Sequence, residues 1–282
     1  MKKVAFFTMD AEVLSDTSCL KKYDFCGECD VVGGLENYAE LLAKYNISAT
    51  YFLTANAIKE WKNKLKELSD GGNELAVHAL EHESVLGYDR EKFIASIKGA
   101  VSLIKENFGV EAVGYRAPCF GVNDDIVGWL KELGVKYDSS ALNYKNAPSS
   151  KKLSLNNFKQ INSITFEKGG FYEFKPPVSN SLIGEIPICG GAYMRLTPWF
   201  IMKGAIKKFV EKSDAFLFYV HPFELYEGEI GLPEKMTVGE RMYINRGRKS
   251  YADKIEKLIK LLIDAGYEFS TIGDNLKHVD KT

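Results

Sequence analysis

Ala215-Phe216-Leu217-Phe218-Tyr219-Val220-His221-Pro222-Phe223-Glu224 is an apolar run of six residues that stops at a histidine. A strand with one face in water alternates apolar and polar residues; a strand buried on both faces does not, and that is the pattern of a parallel sheet covered by helices. Working outward, the same kind of segment recurs. Val4–Thr8, Ser48–Leu53, Glu74–His78, Ala112–Arg116, Val135–Tyr137 and Tyr267–Thr271 read as further strands. Between them lie helical stretches: Leu35–Tyr45, Ala57–Leu68 before Gly71-Gly72, Asp124–Leu133, and one in which Phe93, Ile97, Ala100, Val101 and Ile104 share a face. A last helix shows Ile255, Leu258, Ile259 and Leu262 before Gly266. Strand–helix alternation of this kind predicts an α/β fold with a parallel sheet, open or closed into a barrel. The stretch at about 141–183 is rich in Ser, Asn, Lys and Pro and reads as an irregular excursion carrying a hairpin within a single domain, 1–282.

Active sites of parallel α/β folds gather at the carboxyl ends of the strands. Four strand ends here carry polar residues unsuited to a core: Asp10-Ala11-Glu12, His78-Ala79-Leu80-Glu81-His82, Arg116-Ala117-Pro118 and His221. In one parallel sheet those ends share a rim. His78 and His82 are four residues apart, a spacing that on a turn of helix puts both imidazoles on one face. Two neutral imidazoles and a carboxylate make a three-ligand site with room for water, the donor set of catalytic zinc or a similar divalent ion. Glu12 is the expected third ligand and Asp10 the expected general base, with the two exchanging roles as the alternative. Arg116 is placed to keep Asp10 ionised, and the backbone N–H of Cys119 to receive an oxyanion. His221 is placed to protonate a leaving amine, oriented by Asp138 or by Arg116.

The composition narrows the partners. A net charge of −1 over 282 residues argues against nucleic acid, and 45% hydrophobic with 27% charged residues is ordinary for a globular chain. No apolar run approaches the ~18 residues of a membrane span. Met1-Lys2-Lys3 followed by a short apolar run broken at Asp10 reads as a first strand rather than a secretory leader, which places the protein in the cytoplasm or at a membrane periphery. Of five cysteines, Cys26 and Cys29 form a lone CxxC with Cys19 upstream; without a second pair they read as reduced thiols.

Taken in order, these motifs resemble those of the polysaccharide deacetylase family, the NodB-homology group of carbohydrate esterase family four. His78 to His82 matches its HxxxH motif, Gly114-Tyr115-Arg116-Ala117-Pro118 its arginine–proline motif, and Tyr219-Val220-His221-Pro222 its final histidine motif. Asp10-Ala11-Glu12 stands where the widespread motif has two adjacent aspartates and is similar to an Asp-x-Glu branch. Tyr137-Asp138-Ser139-Ser140 and Gly190-Gly191-Ala192-Tyr193-Met194-Arg195 resemble segments of the members found in exopolysaccharide and O-antigen loci. The resemblance implies a distorted (β/α) barrel of about seven parallel strands. It also implies metal-dependent removal of an N-acetyl group from an amino sugar of a glycan or glycan precursor. Asp10 would be the base, His221 the acid, and Arg116 and Asp138 their supports, with zinc held by Glu12, His78 and His82. Substrate contacts are expected at Tyr115, Pro118, Cys119, Tyr193 and Arg195. Other readings of the same motifs are an allantoinase-like hydrolase of a small cyclic or linear amide and a non-catalytic carbohydrate-binding relative.

Overall fold

In the computed structural model, residues 2–23, 30–142, 144, 153–181 and 184–279 are described. Cys26 and Cys29, and the side chain of Cys19, lie outside the described residues.

Among the described residues twelve strands form: β1 (Lys3–Ala11), β2 (Thr50–Thr54), β3 (Glu74–Ala79), β4 (Gly114–Tyr115), β5 (Tyr137–Asp138), β6 (Lys159–Gln160), β7 (Thr165–Lys168), β8 (Phe171–Phe174), β9 (Val178–Ser181), β10 (Gly184–Pro187), β11 (Ala215–Val220) and β12 (Tyr267–Phe269). Ten of them make one sheet in the order β11-β1-β2-β3-β4-β5-β8-β7-β6, with β12 also on β1. Seven strands in a row, β11 to β8, run parallel; β7 and β6 then turn back antiparallel. β12 pairs with Lys3–Ala5 and β2 with Thr8–Ala11, both on the edge of β1 that β11 leaves open. The result is a curled, mixed sheet forming a half-barrel, the distorted-barrel form expected from the motifs.

β11 is buried along its whole length, as its composition requires. β1 is buried from Ala5 onward and lies between β11 and β2, so the carboxylates at its end emerge in the middle of the rim. The helices that cover the sheet are set by ordinary signals. Asp89 accepts a hydrogen bond from Lys92 N to start the Arg90–Phe108 helix, and Gly109, at φ 72°, ends it. Phe93, Ile97, Ala100 and Ile104 of that helix are buried, and Val101 is half-buried. Thr54 caps Ala55–Asp70, and Asn123 caps Asp124–Glu132.

The polar excursion differs from its expectation. Besides a hairpin of β7 and β8 it contains the last parallel strand, since β8 lies beside β5 with all four residues buried. Glu173 in the centre of Phe171-Tyr172-Glu173-Phe174 makes that strand read as polar. It is tolerated because its Oε1 accepts from the backbone N–H groups of Ser140 and Ala141, at 3.0 and 2.9 Å.

Candidate active site

Asp10 is the last ladder residue but one of β1, and Glu12 follows the strand end, with its N–H turned back onto Asp10 O at 3.0 Å. Both side chains are buried. Arg116, just past β4, is fully buried. Its Nη1 donates to Asp10 Oδ1 at 2.6 Å and to Thr8 Oγ1 at 2.9 Å, while Nη2 and Nε donate to Ser139 Oγ and Ser139 O. The guanidinium also lies 4.1 Å over the Phe52 ring. A buried cation with this many acceptors has one orientation, and it holds the Asp10 carboxylate in place.

The backbone of Arg116 serves the second motif. Its carbonyl oxygen, which can only accept, lies 2.8 Å from His78 Nδ1, so Nδ1 carries the hydrogen and Nε2 presents a lone pair. His82 is reached differently from the helical turn that its spacing suggests. His78 is in β3 and His82 in the loop beyond, and the two rings still come within 5.1 Å. Lys21 Nζ holds that loop through His82 O at 2.7 Å. Glu12 Oε2 lies 2.8 Å from His82 Nε2 and 4.0 Å from His78 Nε2.

This group fits a divalent ion. Glu12, His78 and His82 are buried and place one ligand atom each within 4.8 Å of the others. Glu12 Oε2 is buried without a well-angled hydrogen bond, its short approach to His82 notwithstanding, as expected of a lone pair aimed at a cation. Burial alone would raise the Glu12 pKa, but His82, then His221 and His78, bring it down to about 2. Burial lowers His78 to about 4. At neutral pH Glu12 and His78 are therefore in the forms that bind metal, while Glu12 raises the His82 pKa against burial, so that an ion there would displace a proton.

His221 follows β11 directly and caps the short Pro222–Leu225 helix, where its backbone N–H and Nδ1 both approach Glu224 Oε2 at 3.1 Å. Its Nε2 faces Asp10 Oδ2 at 3.8 Å. The ring is flanked by Tyr219 and stacked on Phe223. Burial works to lower its pKa, but the bond to Glu224 and the charges of Glu12, Glu224 and Asp10 lift it to about 9. Glu224 is itself tied to Arg195 Nε at 2.9 Å, with both side chains fully buried.

Several expected residues sit elsewhere. Asp138 does not reach His221. Its Oδ1 accepts from Ser140 Oγ at 2.5 Å and it pairs across the ladder with Glu173, while Glu224, one turn from His221, takes Nδ1. Arg116 is likewise turned to Asp10 and Ser139. Arg195 is buried and faces inward, with Nε on Glu224 and its two Nη groups on the carbonyl oxygens of Arg246 and Tyr243. Tyr115 is buried with its ring edge-on to Phe93. Pro118 is buried too, but Cys119 is exposed at φ 55° and Tyr193 is 39% exposed beside Tyr144. Glu224, Thr8, Ser139 and Glu173 were not anticipated as support. The one legible sign was the three-residue spacing from His221 to Glu224, that of a capping box.

Comparisons with known proteins follow this geometry. Residues 28–137 match the polysaccharide deacetylase family, and residues 149–276 match a domain of unknown function, DUF3473. A peptidoglycan deacetylase of Helicobacter pylori is 27% identical over 124 residues, 44% of this chain and 41% of that protein. A peptidoglycan deacetylase-like protein of Gibberella zeae is 25% identical over 128 residues, covering 44% of this chain and 37% of its own length. The chain thus spans about two fifths of the curated relatives it matches. Among solved structures, a Mycobacterium smegmatis protein classed with the polysaccharide deacetylases superposes with a TM-score of 0.64 at 17% identity, over 99% of this chain and 91% of the other. Bacillus subtilis PdaA, a family 4 carbohydrate esterase, does so at 0.53 and 13%, over 98% and 82%. A Bacillus anthracis pseudoenzyme of the same family aligns at 0.56 and 12%, over 97% and 65%. At these identities the structures share the fold.

Proposed function

We propose that the chain is a member of the polysaccharide deacetylase family, whose model matches residues 28–137, and that it is a metal-dependent hydrolase removing the N-acetyl group of an amino sugar in a polysaccharide or glycan precursor. The observation that carries the reading is the meeting, on one rim, of the Glu12–His78–His82 ligand set with two groups suited to opposite proton transfers. Asp10 is paired with Arg116, and His221, its pKa lifted to about 9, is paired with Glu224. The peptidoglycan-deacetylase names of the two curated relatives support an N-acetylated glycan as substrate class. The Asp10-Ala11-Glu12 pattern and the Tyr137–Ser140 and Gly190–Arg195 segments support the exopolysaccharide-locus branch.

Two imidazoles and a carboxylate suit zinc, and a divalent ion bound there supplies Lewis-acid polarisation of the acetyl carbonyl and acidifies water. Asp10 Oδ2, the oxygen that Arg116 leaves free, accepts the proton of the attacking water. His221 Nε2 donates a proton to the departing amine, its Nδ1–H being held by Glu224. The 3.8 Å between Asp10 Oδ2 and His221 Nε2 is short enough for both groups to serve one tetrahedral centre.

Acetate release from N-acetylglucosamine oligomers, peptidoglycan fragments and N-acetylated sugar nucleotides tests this reading. Asp10→Asn should keep the metal and lose turnover by about two to four orders of magnitude, the usual share of a general base. Wild-type protein that binds a stoichiometric divalent ion and releases acetate from none of these substrates would overturn it.

A further inference from the structure

Among the described residues seven large apolar side chains are markedly exposed, and six of them are Tyr193, Leu196, Phe200, Ile201, Val238 and Met242. They fall on three neighbouring helices, Gly191–Leu196, Trp199–Val210 and Val238–Asn245. The first two are joined by Thr197-Pro198. The first and third meet where the Arg195 guanidinium donates to the carbonyl oxygens of Tyr243 and Arg246. Phe200 and Val238 are 75% and 74% exposed, far beyond what packing against this chain accounts for.

The charge beside this patch is predominantly positive. Trp199–Val210 holds Lys203, Lys207 and Lys208, all exposed, and no acid. Between it and the Tyr251–Asp264 helix runs a groove of about 460 Å³ lined by Lys203, Lys207, Lys257 and Lys260, with Glu211 and Asp264 among its other lining residues. Arg246 is exposed beside Met242. The one acid of Val238–Asn245, Glu240, is already bound by Lys22, Tyr23 and Thr237. In a chain of net charge −1 this is segregation, not composition.

We propose that the face carrying Leu196, Phe200, Ile201, Val238 and Met242, flanked by Lys203, Lys207, Lys208 and Arg246, docks on an anionic lipid bilayer. Aromatic and aliphatic side chains beside lysines are what the headgroup–acyl boundary takes up, apolar groups entering and cations meeting the lipid phosphates. A second copy of the chain suits the face less well, because a two-fold contact sets these lysines against themselves. A soluble glycan suits it less well too, since Leu196, Ile201 and Val238 offer sugar hydroxyls no hydrogen bond. The helix that carries Leu196 also reaches toward the site: its Tyr193 meets Tyr144, Tyr144 and Tyr219 share one apolar cluster, and Tyr219 flanks His221. The surface is independent of the hydrolytic reading, and lipid binding is measured without turnover.

Vesicle flotation with the full chain tests the proposal. Wild type should float with vesicles of equimolar phosphatidylcholine and phosphatidylglycerol, and at least about tenfold more weakly with phosphatidylcholine alone. Phe200→Asp and the pair Lys203→Glu/Lys207→Glu should each weaken flotation by about tenfold or more, with circular dichroism unchanged. Wild type remaining unbound on the anionic vesicles overturns the proposal, as does a Phe200→Asp variant that floats like wild type. Self-association in lipid-free buffer that Phe200→Asp abolishes, with no vesicle binding, overturns it in favour of a second copy.

Discussion

Glu224 shows how a single side chain governs the acid of the site. Protonated His221 is the form that serves a leaving amine, and its pKa stands at about 9 against the pull of burial. Turnover should therefore fall as pH rises through that value. Glu224→Gln removes the largest raising influence, so the alkaline limb should move to lower pH by on the order of one unit. The measurement is kcat against pH, and a limb that stays put assigns it to another group. The change strands Arg195, a buried cation whose isolation costs about 3–5 kcal/mol, so Arg195→Met/Glu224→Gln is the companion that restores stability while keeping the shifted limb. Asp138 and Glu173 make the complementary case. Asp138 Oδ2 and Glu173 Oε2 are buried without partners, and burial lifts Asp138 to about 6 and Glu173 well above its ordinary value. The pair holds a proton that the unfolded chain releases above about pH 4.3. Its stabilisation is full below that pH and is lost as pH rises through the folded pKa values. Glu173→Gln, already neutral, should flatten the decline in urea-unfolding free energy between pH 5 and 8, whereas Glu173→Ala should cost about 1–3 kcal/mol throughout. A Glu173→Gln profile as steep as wild type would remove the shared proton. None of this was legible beforehand: a carboxyl beside two serines does not announce which strand it will pair with.

At the scale of elements, legibility followed burial. Ala215–Val220 was read with the bounds that β11 has, because both faces are covered and no residue departs from the apolar rule. β3 and the Arg90–Phe108 helix were nearly as clear. β8 was missed because Glu173 interrupts it. The His78–His82 spacing suggested a helical turn, but a strand followed by a tight loop brings the same two rings together; spacing constrains distance more than conformation. Glycine decides one further element. Gly190 has φ 119°, and a Cβ there would lie 2.0 Å from Tyr219 O in β11, the strand that delivers His221. The same backbone reaches Tyr219 through a parallel bridge. Gly190→Ala should therefore destabilise the fold by about 2 kcal/mol or more and lower turnover together with it. Chemical denaturation that gives wild-type stability would show that the Ile188–Gly190 segment can move away from β11 freely.

Across the whole molecule, the site was more legible than the chain around it. Strand ends from residue 10 to residue 221 share a rim only if the sheet is parallel, and from that single premise Asp10, Glu12, His78, Arg116 and His221 were expected to lie near one another, as their side chains do. The supports came from packing that no local pattern encodes: Thr8 from β1, Ser139 after β5, and Glu224 locked by Arg195 from a helix 29 residues away. Because the candidate ligands come from just past β1, from β3 and from the loop beyond β3, a bound ion would tie together segments far apart in sequence and should stabilise the folded state alone. At a free concentration of about 100 times its Kd, a ligand that binds only the folded chain adds about 2.7 kcal/mol. For a domain of this size that is roughly 5 °C in Tm. Stripping with chelator should lower Tm by that order, and zinc should restore it. Glu12→Gln, which keeps the side chain's shape but removes its charge, should melt near the stripped wild type and gain little from zinc. Equal zinc-dependent shifts in Glu12→Gln and wild type would move the third ligand to Asp10, and Asp10→Asn would then be the variant that fails to respond.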